Sequence, residues 1–326
     1  MAAQSEVTPA DIERAFQRIA PHIRRTPLIE SSWLSDRAGA DVRLKLESLQ
    51  VTNSFKARGT VNLALALLER LAAGTGAPVI VTASAGNAGR AFAYASERFG
   101  LRTVVFTPRD APRAKLDAIR RHGADLRDEA ANYEDSERLA KAFAAGSQLP
   151  YTSPYSHPDL IAGFGTAALE VFEQFPAVDT FVVPVGGGGL ISGVGIAARS
   201  RRAGVKIVGV EAEASHAFAA SVRAGRITEV EVGPTIADGL AGNIDPDTIT
   251  FDLVRRYVDE LVQVSESDLE EGIRGLVANE HLIAEGAGIA GVAAALAGRT
   301  HLKGRRVAVI VSGANIDVER LRALLG

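Results

Sequence analysis

The stretch Asn53-Ser54-Phe55-Lys56-Ala57-Arg58-Gly59 lies between a strand-like segment, residues 42–47, and an apolar run of helical pattern, residues 60–71. Lys56 is therefore predicted near the start of a helix, beside the edge of a sheet. The partial positive charge of a helix N-terminus disfavours an ammonium group, and a lysine without its proton is a nucleophile that can bond a carbonyl carbon. Taken alone, the pattern also fits a solvated surface lysine.

Composition narrows the class of protein before any motif is used. The 326 residues suggest about two domains, and 47% hydrophobic with 23% charged residues is ordinary for a globular enzyme. A net charge of −3 gives no reason to expect nucleic acid or an anionic membrane as a partner. The absence of cysteine excludes disulfides, thiolate catalysis and cysteine-bound metals.

Nothing in the sequence indicates a targeting or membrane segment. Residues 1–8 are polar and lack the apolar centre of a secretory signal, and no apolar run approaches the roughly 20 residues of a membrane helix. We therefore expect a cytoplasmic protein.

The pattern along the chain alternates strand and helix, which predicts an α/β fold with two mostly parallel sheets. A first helix begins with Thr8 as N-cap and Pro9 inside it. The first α/β unit has predicted strands at 79–83, 102–107 and from 123, and helices at 87–99, from 112 and at 132–145. After prolines 150, 154 and 158, the second has strands at 180–185, 205–210 and 306–312, helices at 159–174, 190–202, 267–278 and 288–297, and a loop-rich part at 226–252.

Gly186-Gly187-Gly188-Gly189 follows an apolar strand directly and precedes a helix. Successive glycines let backbone N–H groups converge, and the helix dipole adds positive potential, so the loop can hold a phosphate. The spacing matches neither the P-loop nor the dinucleotide fingerprint. A tight turn without a ligand is the alternative, although four glycines cost much backbone entropy for a turn alone.

Ser84-Ala85-Gly86-Asn87 occupies a second strand-to-helix turn. Ser84 is a candidate N-cap, and a helix N-terminus there would receive a carboxylate, with Asn87 offering an amide to a ring oxygen. Ser312 ends the last strand at the edge where open α/β sheets bind ligands, and its hydroxyl could bond a pyridine nitrogen. The histidines show no metal-ligand spacing.

Together these stretches, with Thr235-Ile236-Ala237-Asp238-Gly239 and Ser312-Gly313, resemble the serine/threonine dehydratases, which include serine racemase. The resemblance covers nearly the whole chain. It implies the α/β fold of the fold type II pyridoxal-phosphate enzymes (tryptophan synthase β-like), with the cofactor in the cleft between two parallel-sheet domains. The large domain would comprise residues 1–68 and 155–326, and the small substrate-carboxylate domain residues 69–154.

The resemblance also implies roles for individual residues. Lys56 would hold the cofactor aldehyde as an imine and later remove the substrate α-proton. The other cofactor contacts would be Phe55, Asn87, Gly186, Gly187, Gly188, Gly189, Leu190, Gly239 and Ser312. The substrate carboxylate would be held by Ser84, Gly86, Asn87 and Ala88.

Departures from the family pattern affect the pocket and the cation site. Ala88 replaces a usual histidine and Phe164 a usual glutamine, so we expect an altered substrate pocket. Ala85 stands where serine racemases carry a second-face serine, which disfavours racemisation. Of the family's cation ligands, Glu211 and the carbonyl of Ser215 match, but Ala217 takes the place of the acid, so the resemblance implies an incomplete site for a divalent or monovalent cation.

The sequence therefore predicts a pyridoxal 5′-phosphate-dependent ammonia-lyase that eliminates water from a β-hydroxy-α-amino acid, most simply L-threonine or L-serine. The same chemistry on hydroxyaspartate, phenylserine or an ectoine-derived acid stays open, as does a non-catalytic protein that binds another phosphate ligand. The resemblance implies a homodimer or homotetramer.

Overall fold

The computed structural model describes residues 6–71 and 78–326. The strands are β1 (Leu28–Glu30), β2 (Asp41–Leu46), β3 (Val79–Ala83), β4 (Arg102–Pro108), β5 (Asp125–Ala130), β6 (Thr180–Pro184), β7 (Lys206–Ala212), β8 (Glu260–Val264) and β9 (Arg306–Val311). The helices are α1 (Pro9–Ile19), α2 (Ser32–Ala38), α3 (Lys56–Leu71), α4 (Asn87–Phe99), α5 (Arg113–Arg120), α6 (Tyr133–Gly146), α7 (Pro158–Gln174), α8 (Gly189–Arg201), α9 (Ala217–Ala224), α10 (Thr250–Tyr257), α11 (Glu266–Glu280), α12 (Gly286–Leu296) and α13 (Val318–Leu325). Residues 1–5 of the polar N-terminal stretch, and residues 72–77 of the predicted small domain, lie outside the described residues.

The strands form two sheets, as predicted. The larger has the order β1-β2-β9-β6-β7-β8 and is parallel except for the antiparallel pair of β1 and β2. The smaller, β3-β4-β5, is wholly parallel. Because parallel strands end at the same edge, the segments after β2, β6 and β9 meet at one edge of the larger sheet, where α/β sheets bind ligands.

The predicted helix and strand positions are confirmed for the long elements. Helix α1 has Thr8 at its N-cap in a capping box with Asp11, and Pro9 opens it. Helix α3 begins at Lys56 itself. No helix in the described parts of the chain combines the length and hydropathy that crossing a membrane requires.

Several short elements were not predicted, namely β1, α2, α9, α10, β8 and α13. The predicted loop-rich part, 226–252, is a loop except for a 3-10 turn at Asp238–Leu240 and the first residues of α10. These elements have eight residues or fewer, so their apolar periodicity is too brief to be distinguished from a loop.

Helix α7 passes through the centre of the main core and packs against α3 and α8. Its backbone comes close to both neighbours: a Cβ on Gly163 would lie 2.5 Å from the carbonyl oxygen of Arg58, and one on Gly165 would lie 2.7 Å from that of Gly193. Since a Cβ cannot approach backbone so closely, glycine is required at both positions. The two contacts fix the lysine-bearing helix relative to the helix that follows the tetraglycine.

A balanced cluster of buried charges lies beneath the start of α3. Arg58 is fully buried, and its guanidinium donates to Glu47 at 2.7 Å and to Glu170 at 2.8 Å. The buried ammonium of Lys45 donates to Glu170 at 2.5 Å. Two cations thus neutralise two carboxylates, which is the condition under which charges are tolerated in a core. The cluster ties β2, α3 and α7 together.

Replacing Glu170 by Gln should lower the free energy of unfolding by about 3 kcal/mol, because removing one charge leaves Arg58 and Lys45 incompletely paired in the core. Urea denaturation followed by circular dichroism measures the loss. Glu173→Gln on the same helix is the matched control, since Glu173 forms only a surface pair with Arg25 and its removal should cost little. Equal losses of unfolding free energy in the two variants would contradict the assignment of Glu170 to the buried charge cluster.

Candidate active site

Lys56 is placed by the segment that precedes it. Asn53 has a φ of 56°, a left-handed conformation that asparagine adopts more readily than most residues. The N–H of Phe55 donates to the carbonyl of Ser312 at 3.0 Å, and that of Ala314 donates to the carbonyl of Asn53 at 2.9 Å. The segment is therefore bonded to the end of β9, which brings Lys56 to the carboxyl edge of the larger sheet.

The amine of Lys56 lies in a largely apolar environment. Its Nζ donates to the carbonyl of Pro154 at 2.8 Å and lies 5.1 Å from the ring centroid of Phe55 and 5.4 Å from that of Phe164. Burial lowers the pKa of Lys56 to about 8, because it disfavours the charged form. The pKa of Lys56 is therefore lowered, as the sequence predicted, but the cause is burial rather than the helix terminus.

The tetraglycine connects β6 to α8, and neighbouring groups leave no room for side chains there. A Cβ on Gly187 would lie 2.3 Å from the ring of Tyr155, and one on Gly189 would lie 2.5 Å from the carbonyl oxygen of Tyr155. Gly188 has a φ of +80°, which favours glycine. The first N–H groups of α8, beginning with those of Gly189 and Leu190, have no partner inside the helix and can bind an anion.

Other elements hold this loop in position. The hydroxyl of Thr250 donates to the carbonyl of Gly187 at 2.8 Å, and a Cβ on Gly188 would meet the ring of Phe218 at 2.6 Å. The carbonyl of Gly239 lies 3.0 Å from where a Cβ of Gly186 would be. Gly239 thus lies beside the glycine loop.

The turn after β3 differs from its prediction in one respect. Helix α4 begins at Asn87 with Gly86 at the N-cap, so Ser84 is not the N-cap. The hydroxyl of Ser84 instead accepts the N–H of Gly86 at 3.2 Å, which closes the turn before the helix. Ala88 is buried in the main hydrophobic core. Its methyl therefore packs inward.

Asn87 is bonded to two groups that come from the far end of the chain. Its Nδ2 donates to Glu285 Oε1 at 2.5 Å, and its Oδ1 accepts from Asn315 at 2.6 Å. Arg90, one turn further along α4, donates to Asn315 at 2.6 Å. Small-sheet and large-sheet residues are joined here, close to Ser312 and Gly313.

Glu285 is a site residue that the sequence analysis missed. It is nearly fully buried at the N-cap of α12, and burial raises its pKa to about 7. A Cβ on Gly313 would lie 2.2 Å from its Oε1, so the glycine after Ser312 is required by this carboxyl. The only signal in the sequence is an acid directly before an almost wholly apolar helix.

Glu211 and Ser215, which the resemblance suggested as cation ligands, form hydrogen bonds to backbone groups of the protein. Glu211 accepts the N–H groups of Phe218 at 2.8 Å and Ala219 at 2.9 Å, so its carboxylate caps the start of α9. Ser215 lies before that helix, its hydroxyl bonded to the backbone of Gly242, and the side chain of Ala217 offers no ligand atom. Within residues 6–71 and 78–326, no group of three histidine or acidic side chains is placed to hold a metal.

Comparison with known proteins identifies the family. A family described as "Pyridoxal-phosphate dependent enzyme" matches residues 19–313. The chain belongs to this family. An L-threonine ammonia-lyase of Thermotoga maritima is 40% identical over 319 residues, covering 98% of this chain and 78% of the relative. An L-threo-3-hydroxyaspartate ammonia-lyase of Saccharomyces cerevisiae is 34% identical over 318 residues, covering 98% and 96%.

The fold agrees with the same family. The structure of maize serine racemase superposes with a TM-score of 0.91 at 30% identity, covering 98% of this chain and 97% of that one. The fold type II pyridoxal-phosphate fold is thereby confirmed. The residues fit the cofactor, because the tetraglycine forms a cradle at a helix N-terminus, and the lysine, asparagine and serine of the resemblance lie around the same sheet edge.

Gly187→Ala should weaken the binding of pyridoxal phosphate by about tenfold or more, because the new methyl collides with the Tyr155 ring. Titrating the cofactor-free protein with pyridoxal phosphate measures the change. Gly204→Ala is the control, since nothing lies within 4 Å of a Cβ there. The same affinity in both variants would show that the loop does not hold the phosphate.

The rate at which the cofactor-free protein captures pyridoxal phosphate should rise about tenfold per pH unit below a pH of about 8 and level off above it. The neutral amine is the reactive form, and a lowered pKa makes it available at lower pH than an ordinary lysine would. Stopped-flow absorbance between pH 6 and pH 10 follows the capture. A midpoint near that of an exposed lysine would contradict the account.

Proposed function

We propose that the protein is a pyridoxal-phosphate-dependent dehydratase, an ammonia-lyase that converts a β-hydroxy-α-amino acid, first of all L-threonine or L-serine, to a 2-oxo acid and ammonia. The observation that carries the proposal is the half-buried, low-pKa amine of Lys56, joined through Pro154 and Tyr155 to the glycine cradle. The 40% identity to an L-threonine ammonia-lyase supports the reaction class.

When bound, the cofactor supplies an electron sink for the electrons of the broken α-carbon bond. Lys56 would hold the cofactor through Nζ and, once freed by the substrate amine, would accept the α-proton at Nζ. The β-hydroxyl would leave as water by taking up one proton, which balances the proton accepted by Lys56. The released enamine product is hydrolysed to the 2-oxo acid and ammonia. The low pKa of Lys56 suits it to this proton transfer near neutral pH.

The remaining roles are proposed on the positions of the side chains. Gly186, Gly187, Gly188 and Gly189, with Leu190, bind the phosphate. Phe55 packs beside the ring, Asn87 bonds its 3′-oxygen, and Ser312 faces its nitrogen. Gly239 lines the pocket, and Ser84, Gly86, Asn87 and Ala88 hold the substrate carboxylate, Ala88 through its N–H. Residues 69–154 form the small domain, and residues 1–68 with 155–326 form the large one.

A second candidate substrate is 3-hydroxyaspartate. The yeast relative named for it is 34% identical across almost the whole chain, which is close to the identities of several threonine dehydratases. The departures at Ala88 and Phe164 are the sequence features that motivate it, and both side chains are buried.

Purified protein should release 2-oxo acid and ammonia from at least one of L-threonine, L-serine and L-threo-3-hydroxyaspartate, and the ranking of kcat/KM names the substrate. Lys56→Ala should lower this activity by at least about a hundredfold, because the nucleophile and the base are lost together. Lys303→Ala, at an exposed position, is the control. Full 2-oxo acid release by the Lys56→Ala variant would refute the proposed function.

We also propose that the protein is cytoplasmic, as expected from its sequence, and that it forms a homodimer or homotetramer, as the family resemblance implies. Light scattering of the purified holoenzyme measures the assembly, and cell fractionation the compartment. A monomer at micromolar concentration, or recovery with the membranes, would contradict these two statements.

A further inference from the structure

Phe164 lies where two close helix contacts meet. It stands in the middle of α7, between Gly163, whose Cα faces α3, and Gly165, whose Cα faces α8. Its side chain has no exposed surface. The ring therefore fills the space between the helix that carries Lys56 and the helix that follows the glycine cradle.

The ring contacts both of these helices and the lysine. A Cβ on Gly59 would lie 2.3 Å from its Cε1, and a Cβ on Gly189 would lie 3.3 Å from its Cε2. The rings of Phe164 and Phe55 meet edge to face with centroids 4.9 Å apart. The Nζ of Lys56 is 5.4 Å from the Phe164 centroid.

We propose that Phe164 is a positioning residue for Lys56. The Phe164 ring holds the Lys56 amine at a fixed distance from the glycine cradle and keeps the inner side of that amine free of polar partners. Phe164 does not select the substrate. The proposal rests on the proposed function in one respect, that Lys56 binds the cofactor. The expectation that Phe164 reshapes the substrate pocket is replaced by this one.

Two observations separate positioning from substrate selection. Phe164 is fully enclosed by protein, so it offers a substrate no exposed surface to touch. By contrast, the amine of Lys56 has the carbonyl of Pro154 as its hydrogen-bond acceptor, and the Phe164 ring centroid lies 5.4 Å from it. A glutamine there would bring an amide oxygen towards the ammonium and stabilise its charged form.

The test compares Phe164→Gln and Phe164→Leu with wild type, using Phe181→Leu as the control. Phe181 is equally buried but packs against Phe172, about two helical turns beyond Phe164 on α7 and near the amino end of β6. The readouts are the pH dependence of pyridoxal phosphate capture by the cofactor-free protein, the rate of cofactor release, and the ratio of kcat/KM for threonine, serine and 3-hydroxyaspartate.

Phe164→Gln should move the capture midpoint upwards and slow capture at pH 7 by about tenfold, since one unit of pKa changes the neutral fraction tenfold. Phe164→Leu should leave the midpoint in place and speed cofactor release by about fivefold to tenfold, because packing is lost without adding a polar atom. Phe181→Leu should change neither the capture midpoint nor the rate of cofactor release. The ratios of kcat/KM between substrates should match wild type in all variants.

An unmoved midpoint in Phe164→Gln, or a changed ratio between substrates, would overturn the proposal. If Phe164→Gln does not fold, Phe164→Leu decides the test. A rate of cofactor release in Phe164→Leu equal to that of wild type would then overturn the proposal. Failure of the proposed function itself would look different, because wild type would capture the cofactor yet turn over none of the three amino acids.

Discussion

The charge balance beneath α3 is the constraint on which the rest of the site depends. Arg58 is held by Glu47 and Glu170 in a buried region closed to solvent, and such a group cannot shift without losing partners that solvent would not replace. Because Lys56 precedes Arg58 by two residues, the first turn of α3 is fixed as well. The cluster therefore sets the position of the lysine while contributing nothing to its chemistry.

The amine itself lies in the opposite kind of environment. Lys56 and Arg58 lie within one helical turn of each other. The guanidinium of Arg58 is fully paired, whereas the ammonium of Lys56 lies among two phenylalanine rings and the carbonyl of Pro154. Paired charges stabilise the side chain of Arg58, and sparse solvation lowers the pKa of Lys56. The glycines at 59, 163 and 165 permit this arrangement, because they let three helices approach at backbone distance.

Much of the fold and part of the site could be predicted from the sequence. The long strand and helix patterns gave the two parallel sheets, and the order of the lysine, glycine and serine stretches implied the family. Glu285 could not be found, because it meets Asn87 across 198 residues and no local pattern encodes that contact. The burial of the Ala88 and Phe164 side chains could not be predicted either, because the direction of a side chain depends on packing, which a sequence without a structure does not reveal.

The most direct test of the central claim, that Lys56 is the residue bonded to the cofactor, is borohydride reduction of the holoenzyme followed by peptide mass spectrometry. Reduction makes the lysine–cofactor link permanent, so the modified residue can be read from the peptide. The account predicts loss of the visible absorbance and a phosphopyridoxyl group on Lys56 alone. A label on another lysine, or no label on a protein that still releases 2-oxo acid, would contradict it.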